Sequence, residues 1–176
     1  FEIERRLKEE LDIPVMHDDQ HGTAIISGAA MLNSLELVDK DISQVKVVIS
    51  GAGASAISCA DHWVQLGVNT DNIKMIDSKG IITKKRAEEG GLSAEKERFA
   101  RDIDEGNLAT AMQGADIFLG LSRGDIVNPD MLRSMSEKPI IFALANPDPE
   151  IMPDIALAAR PDAIVASGRS DFPNQV

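Results

Sequence analysis

Short apolar runs rich in β-branched residues recur along the chain and alternate with stretches of helical composition. Such runs are typical of strands buried on both faces of a parallel sheet. We expect strands at 45–50, 73–77, 117–120, 140–143 and 163–166. The intervening stretches predict helices at 57–66, 94–100, 108–112, 131–135 and 155–159. Strands that alternate with helices in this way predict an α/β fold, with a doubly wound parallel sheet flanked by helices on both faces.

Two further helices precede the first predicted strand. Ile3, Leu7 and Leu11 recur every four residues, which predicts a surface helix with one apolar stripe, beginning at Phe1 and ended by Pro14. Small and apolar residues then dominate from 23 to 35, the composition of a buried helix, and Thr23 is expected to cap its start.

The clearest motif follows the first predicted strand, where Gly51-x-Gly53-x-x-Ala56 matches a dinucleotide-binding fingerprint. The first glycine permits a sharp turn, the second lets the backbone approach a pyrophosphate, and the third position keeps the helix close to the strand. We therefore expect a Rossmann-like fold in which the cofactor is bound by these residues: Gly51, Ala52, Gly53, Ala54, Ser55 and Ala56. The alternative is a glycine turn in a domain that has lost its ligand.

The preferred dinucleotide stays open. Asp77 ends the second predicted strand, where a carboxylate accepts hydrogen bonds from ribose hydroxyls and favours NAD over NADP. Four basic residues follow it, and any of them can instead bind a 2′-phosphate or lie in a solvated loop: Lys79, Lys84, Lys85 and Arg86.

A polar cluster between the first two helices offers two adjacent carboxylates, Asp18 and Asp19, flanked by His17 and His21. Carboxylate oxygens suit Mg²⁺ or Mn²⁺. Adjacent side chains diverge, so one aspartate is expected to contact a metal while the other orients the site. Helix capping beside a surface turn is the alternative interpretation.

Composition excludes several classes of function. The 29 acidic and 18 basic residues leave a net charge of −11, which repels nucleic acid. No apolar run is long enough to span a membrane, and the single cysteine fits the reducing cytoplasm. There is no initiator Met and no tyrosine, so we expect a piece of a longer protein. We divide it into a helical lead-in, 1–35, that carries part of the metal site, and a dinucleotide-binding domain, 36–176, which together form one compact unit.

Across most of its length the chain resembles bacterial malic enzymes. The resemblance begins with the segment Ile13–Ala24 and continues through five further segments: Gly51–Ala56, Met75–Gly80, Gly114–Asp116, Ile140–Pro147 and Ala166–Arg169. Malic enzymes decarboxylate malate oxidatively to pyruvate and CO₂, with NAD or NADP and a divalent cation, Mg²⁺ or Mn²⁺. The resemblance implies this activity for the parent polypeptide, which we expect to be a cytoplasmic homo-oligomer.

The resemblance also implies roles for single residues. Asp19 corresponds to a metal ligand, and Asp18 to its neighbour, which supports catalysis. Asn146 corresponds to an asparagine near the nicotinamide and the substrate, and Asp77 to the residue at the adenosine ribose. The family's other two protein metal ligands, its lysine base and its tyrosine acid have no counterpart here, so the chain alone is expected to be inactive.

Two alternatives remain from the sequence. The chain can belong to another NAD(P)-dependent dehydrogenase, such as an amino-acid dehydrogenase. It can also be a non-catalytic module for dinucleotide binding or assembly within a larger polypeptide.

Overall fold

The computed structural model describes residues 2–176, and its centre is a six-stranded sheet in the order β3-β2-β1-β4-β5-β6. The strands are β1 (Val47–Ser50), β2 (Ile73–Asp77), β3 (Gly80–Ile81), β4 (Ile117–Gly120), β5 (Ile140–Ala143) and β6 (Ile164–Ser167). Five of them are parallel, and β3 pairs with β2 in the antiparallel sense. All five predicted strands are present, whereas β3 was not predicted because two residues carry no periodic signal.

Eight α-helices connect and cover these strands within the described residues: α1 (Glu2–Glu10), α2 (Asp18–Val38), α3 (Ala54–Leu66), α4 (Lys84–Glu88), α5 (Ala94–Glu97), α6 (Leu108–Met112), α7 (Pro129–Arg133) and α8 (Pro153–Ala159). None of the helices in residues 2–176 combines the length and the apolar character needed to cross a membrane.

Each face of the sheet packs against its own layer of helices. On one face, Met31 of α2 and Trp63 of α3 belong to a buried cluster with Phe142 of β5. On the other face, Met112 of α6 and Leu132 of α7 belong to a second cluster that includes sheet residues. The doubly wound sheet with helices on both faces is therefore confirmed. Residues of α2 belong to the same buried cluster as residues of the sheet. This packing fixes the position of α2, including its N-terminal end, relative to the sheet.

Both N-terminal helices are present, and α2 starts earlier than expected. Helix α2 begins at Asp18, capped by His17 in an extended conformation, so Thr23 lies inside the helix and does not cap it. In α1 the apolar stripe is exposed, with Ile3 77% accessible. The buried residue of α1 is Glu4, whose carboxylate lies 2.7 Å from His21 of α2. The predicted helix start at Phe1 lies outside the described residues.

Candidate functional site

Strands β1 and β4 lie side by side at the middle of the sheet. The connection from β1 leads to β2 on one side, and the connection from β4 leads to β5 on the other side. In open α/β sheets the crevice outside the carboxyl ends of two such strands is the usual ligand site. Strand β1 ends at Ser50, directly before the glycine turn, and β4 ends at Gly120. The fold therefore places the glycine turn at this crevice.

The glycine turn has the conformation that the fingerprint requires. Gly51 has a φ of +120°, and a Cβ there would lie 2.7 Å from the carbonyl oxygen of Leu121. A Cβ at Gly53 would meet no atom within 4 Å, so the space above that residue is open. Ala56 is buried against the strand.

Helix α3 starts directly after Gly53, and no side chain caps its N-terminus. Its first N–H groups therefore face the open space and offer an anion a positive dipole end. A turn of glycine and alanine at the head of a 13-residue helix fits the pyrophosphate of a dinucleotide.

One cleft brings together residues that are far apart in sequence. Its volume is about 380 Å³, and Asp19 of α2, Ser55 of α3 and Asn146 after β5 all line it. Ser122, which follows β4, contributes to the same wall. The predicted metal residue, pyrophosphate residue and nicotinamide residue therefore share one cavity at the carboxyl edge of the sheet.

The two aspartates at the start of α2 have different surroundings. The Asp19 side chain is 94% accessible, and its Oδ2 lies 3.8 Å from Nε2 of His17. The Asp18 carboxylate folds over Gly22, where a Cβ would overlap it, and Asp18 is not part of the cleft wall. The two side chains diverge, and only Asp19 is directed at the cleft.

A metal ion at Asp19 needs ligands from elsewhere. Within residues 2–176, no three His, Cys, Asp or Glu side chains come together in a group able to hold an ion. An accessible carboxylate on a polar cleft is nevertheless the donor that Mg²⁺ and Mn²⁺ prefer. Asp19 therefore fits a metal site as one of its ligands.

Asp77 is not free at the end of β2. Its Oδ2 lies 2.9 Å from Nη2 of Arg86 and 3.9 Å from Nζ of Lys96, and its Oδ1 accepts the backbone N–H of Lys79. Burial raises the pKa of Asp77, but the hydrogen bond and charge of Arg86, the backbone N–H of Lys79 and the charge of Lys96 together outweigh burial and hold that pKa below its usual range. Of the basic residues that follow Asp77, Arg86 folds back onto it, whereas Lys79 is exposed.

Asn146 follows β5 and is exposed at the cleft. The backbone beside it is held by Arg169, whose Nη1 donates to the carbonyl oxygen of Pro147 at 2.9 Å. The rest of the Arg169 guanidinium pairs with Asp171 at 2.6 Å, so this cation already has a carboxylate partner.

Sequence reasoning missed one polar residue next to the cleft. Glu150 is fully buried, although it lies only four residues after Asn146. Its carboxylate accepts backbone N–H groups from the loops that follow β4 and β5. The sequence shows an acidic residue shortly after Asn146, which could have drawn attention to Glu150. No periodicity in the sequence indicates that this residue is buried.

Comparison with known proteins agrees with this geometry. The family model described as "Malic enzyme, NAD binding domain" matches residues 20–175. The whole chain is 54% identical to a NAD-dependent malic enzyme of Rhizobium meliloti and 48% identical to a NADP-dependent malic enzyme of Halomonas elongata. It spans 23% and 41% of the length of these two relatives.

Solved structures give the same result. The crystal structure of the NAD-dependent malic enzyme of Thermotoga maritima is 47% identical to the chain, with a TM-score of 0.89, and the match covers 99% of this chain and 46% of that one. A malic enzyme from Pyrococcus horikoshii matches with a TM-score of 0.88 at 37% identity. The chain belongs to the malic enzyme family, and its sequence and fold are those of the family's NAD-binding domain.

Proposed function

We propose that this chain is the dinucleotide-binding part of a malic enzyme. Such an enzyme uses a divalent cation to convert malate and either NAD or NADP to pyruvate, CO₂ and the reduced dinucleotide. The observation that carries the proposal is the shared cleft: Asp19, Ser55 and Asn146 line one cavity at the carboxyl edge of β1 and β4. Relatives that are 54% and 51% identical are named NAD-dependent and NADP-dependent malic enzymes, which supports either dinucleotide.

The glycine turn would bind the pyrophosphate. The free N–H groups at the start of α3 hydrogen-bond to phosphate oxygens, and the open space above Gly53 admits them. Asp77 would accept hydrogen bonds from the adenosine ribose, and Asn146 would orient the nicotinamide beside the substrate. These contacts fix the distance over which a hydride moves from malate to the dinucleotide.

Asp19 would supply one ligand to Mg²⁺ or Mn²⁺, and Asp18 would support it from the same helical turn. A divalent cation at this point supplies positive charge that stabilises developing negative charge on the substrate oxygen. The Asp19 side chain is 94% accessible, and within residues 2–176 its one ion-pair contact is the 3.8 Å approach to His17. Its carboxylate can therefore bind such an ion at the cost of that long contact alone.

The remaining acid–base groups would come from other parts of a longer polypeptide. We divide the present chain into a helical lead-in, 1–35, and a dinucleotide-binding domain, 36–176. The parent protein is proposed to be a cytoplasmic homo-oligomer that binds neither nucleic acid nor membranes. The chain on its own is predicted to bind dinucleotide weakly and to turn over no malate.

The test uses the full-length gene product that contains this chain. Formation of reduced dinucleotide is followed with malate, with and without Mn²⁺, and with a panel of amino acids in place of malate. We expect turnover with malate that depends on Mn²⁺ and none with amino acids. Turnover of an amino acid without metal would favour another dehydrogenase, and dinucleotide binding without turnover of any substrate would favour a non-catalytic module.

A further inference from the structure

A buried carboxylate that the proposed function does not use lies directly behind the cleft. Glu150 has no accessible surface. Its Oε1 accepts the backbone N–H of Ser122 at 3.1 Å, and its Oε2 accepts the backbone N–H of Ala145 at 3.1 Å. One side chain therefore joins the loop after β4 to the loop after β5.

Both loops form the wall of the cleft. Ser122 and Ala145 line it, and Ala145 is the residue directly before Asn146. Because the Ala145 N–H is bound to Glu150, the peptide unit between Leu144 and Ala145, one residue before Asn146, has a fixed orientation. The position of the Asn146 side chain depends on that peptide unit.

The connection continues to the glycine turn. The hydroxyl oxygen of Ser122 lies 3.0 Å from the hydroxyl oxygen of Ser50, the last residue of β1. The backbone N–H of Leu121 also donates to the carbonyl oxygen of Ser50 at 2.8 Å. A continuous set of hydrogen bonds therefore runs from the residue before Gly51, through Ser122 and Glu150, to the residue before Asn146.

The surrounding structure makes room for this carboxylate. A Cβ at Gly120, the last residue of β4, would overlap the carboxyl group of Glu150. Burial raises the pKa of Glu150, although its backbone hydrogen bonds act to lower that pKa. Within residues 2–176, no basic side chain forms a salt bridge with Glu150. A buried carboxylate without a cationic partner lowers stability unless its hydrogen bonds are satisfied. The two backbone N–H groups satisfy the carboxylate of Glu150, so its burial depends on its keeping both loops in place.

We infer that Glu150 is a positioning residue for the nicotinamide half of the cleft: by holding the N–H groups of Ser122 and Ala145, it sets the spacing between the two loops and the orientation of Asn146. It acts through the backbone and touches neither substrate nor cofactor. The inference rests on the proposed function, because it concerns how the same cleft receives a dinucleotide.

The test compares Glu150→Gln with Asp116→Asn in the full-length gene product. An amide at 150 accepts from only one of the two N–H groups and presents its own N–H₂ group to the other. Asp116 is a matched control, because its carboxylate also joins separate segments, accepting from Lys40 and from the backbone of Lys46. It lies at the opposite end of β4 from the cleft, directly before Ile117.

Three quantities separate positioning from simple stabilisation: the affinity for NADH or NADPH, the affinity for ADP-ribose, which lacks the nicotinamide, and kcat with malate. For Glu150→Gln we expect kcat about tenfold lower and weaker binding of the reduced dinucleotide, with ADP-ribose affinity within about twofold of wild type. For Asp116→Asn we expect a lower melting temperature and no change in these three quantities.

The outcomes distinguish the inference from the proposed function. A wild-type protein that binds neither reduced dinucleotide nor ADP-ribose overturns both. If the wild-type protein binds both probes, the proposed function stands and the variant decides the inference. A Glu150→Gln variant that is unchanged, or that loses affinity for both probes equally, overturns the inference alone. If Glu150→Gln does not fold, Glu150→Asp decides by the same comparison, because it keeps the charge but is too short to span both N–H groups.

Discussion

The carboxylate of Asp77 and the guanidinium of Arg86 lie 2.9 Å apart at the end of β2, and both side chains are largely buried. Arg86 also donates to the carbonyl oxygens of Gly80 and Ile81, so it ties β3 to the end of β2. The negative charge expected to repel a 2′-phosphate is therefore accompanied by a fixed positive charge.

This ion pair predicts how substitutions change the choice of dinucleotide. Arg86→Gln removes the closer positive charge and leaves Asp77 with only the longer contact to Lys96, so we expect a greater loss of affinity for NADPH than for NADH. Asp77→Asn should have the opposite effect on the ratio of the two affinities. Titration of each variant with both reduced dinucleotides, followed by nicotinamide fluorescence, measures that ratio. If the ratio stays at the wild-type value in both variants, the Asp77–Arg86 pair does not determine which dinucleotide is preferred.

Two glycines of the turn are predicted to respond differently to substitution. Gly53→Val places a side chain in open space at a φ of −87°, so the fold should tolerate it while dinucleotide affinity falls by about tenfold or more. Gly51→Ala forces a side chain into a φ of +120° and against Leu121, so it should destabilise the fold by about 1–3 kcal/mol. Thermal unfolding and dinucleotide titration separate the two effects. Equal loss of stability in both variants would contradict the assignment of the space above Gly53 to the ligand.

Asp19→Asn is predicted to abolish the Mn²⁺-dependent turnover of malate by the full-length protein while leaving its stability unchanged. The side chain is 94% accessible, and it contributes little to folding. The matched control is Asp130→Asn, an exposed aspartate in α7 that pairs with Arg133 at 2.7 Å and does not line the cleft. Turnover by Asp19→Asn at the wild-type rate and with the wild-type Mn²⁺ requirement would exclude this carboxylate as a ligand.

The stability of the fold should decrease in acid partly through Asp116. Burial raises the pKa of Asp116, but its hydrogen bonds from Lys40, from the backbone of Lys46 and from Ser136 outweigh burial and lower it below the usual 3.8. A lowered pKa means that this carboxylate stabilises the fold above its unfolded pKa, and that the contribution is lost as the pH falls through the folded pKa. Melting temperatures measured from neutral pH down to acid should therefore fall less in Asp116→Asn than in wild type. Parallel curves for the two proteins would contradict this contribution.

Much of the fold could be predicted because its signals are local. Strands such as Ile140–Ala143 are short apolar runs buried on both faces, and the glycine turn combines a strand end, two glycines and a helix start. The region 78–101 was predicted less well. Its short elements β3 and α4 are held by the contacts of Arg86 with Asp77 and with backbone carbonyls, which no periodicity records.

The errors have a common physical cause, since periodicity does not identify the partner of a side chain. The stripe of Ile3, Leu7 and Leu11 predicted a surface helix, but it gave no sign that the buried contact of this helix is made by Glu4 with His21. Glu150 was missed for the same reason, because its role comes from two backbone N–H groups that are distant in sequence from each other.

The most direct test of the central claim is a crystal structure of the full-length gene product with NADH and Mg²⁺ bound. We predict the pyrophosphate against the N–H groups at the start of α3, the nicotinamide beside Asn146, and the ion roughly 2.1 Å from a carboxylate oxygen of Asp19. A dinucleotide bound away from Gly53, or an ion that Asp19 does not touch, would contradict the account.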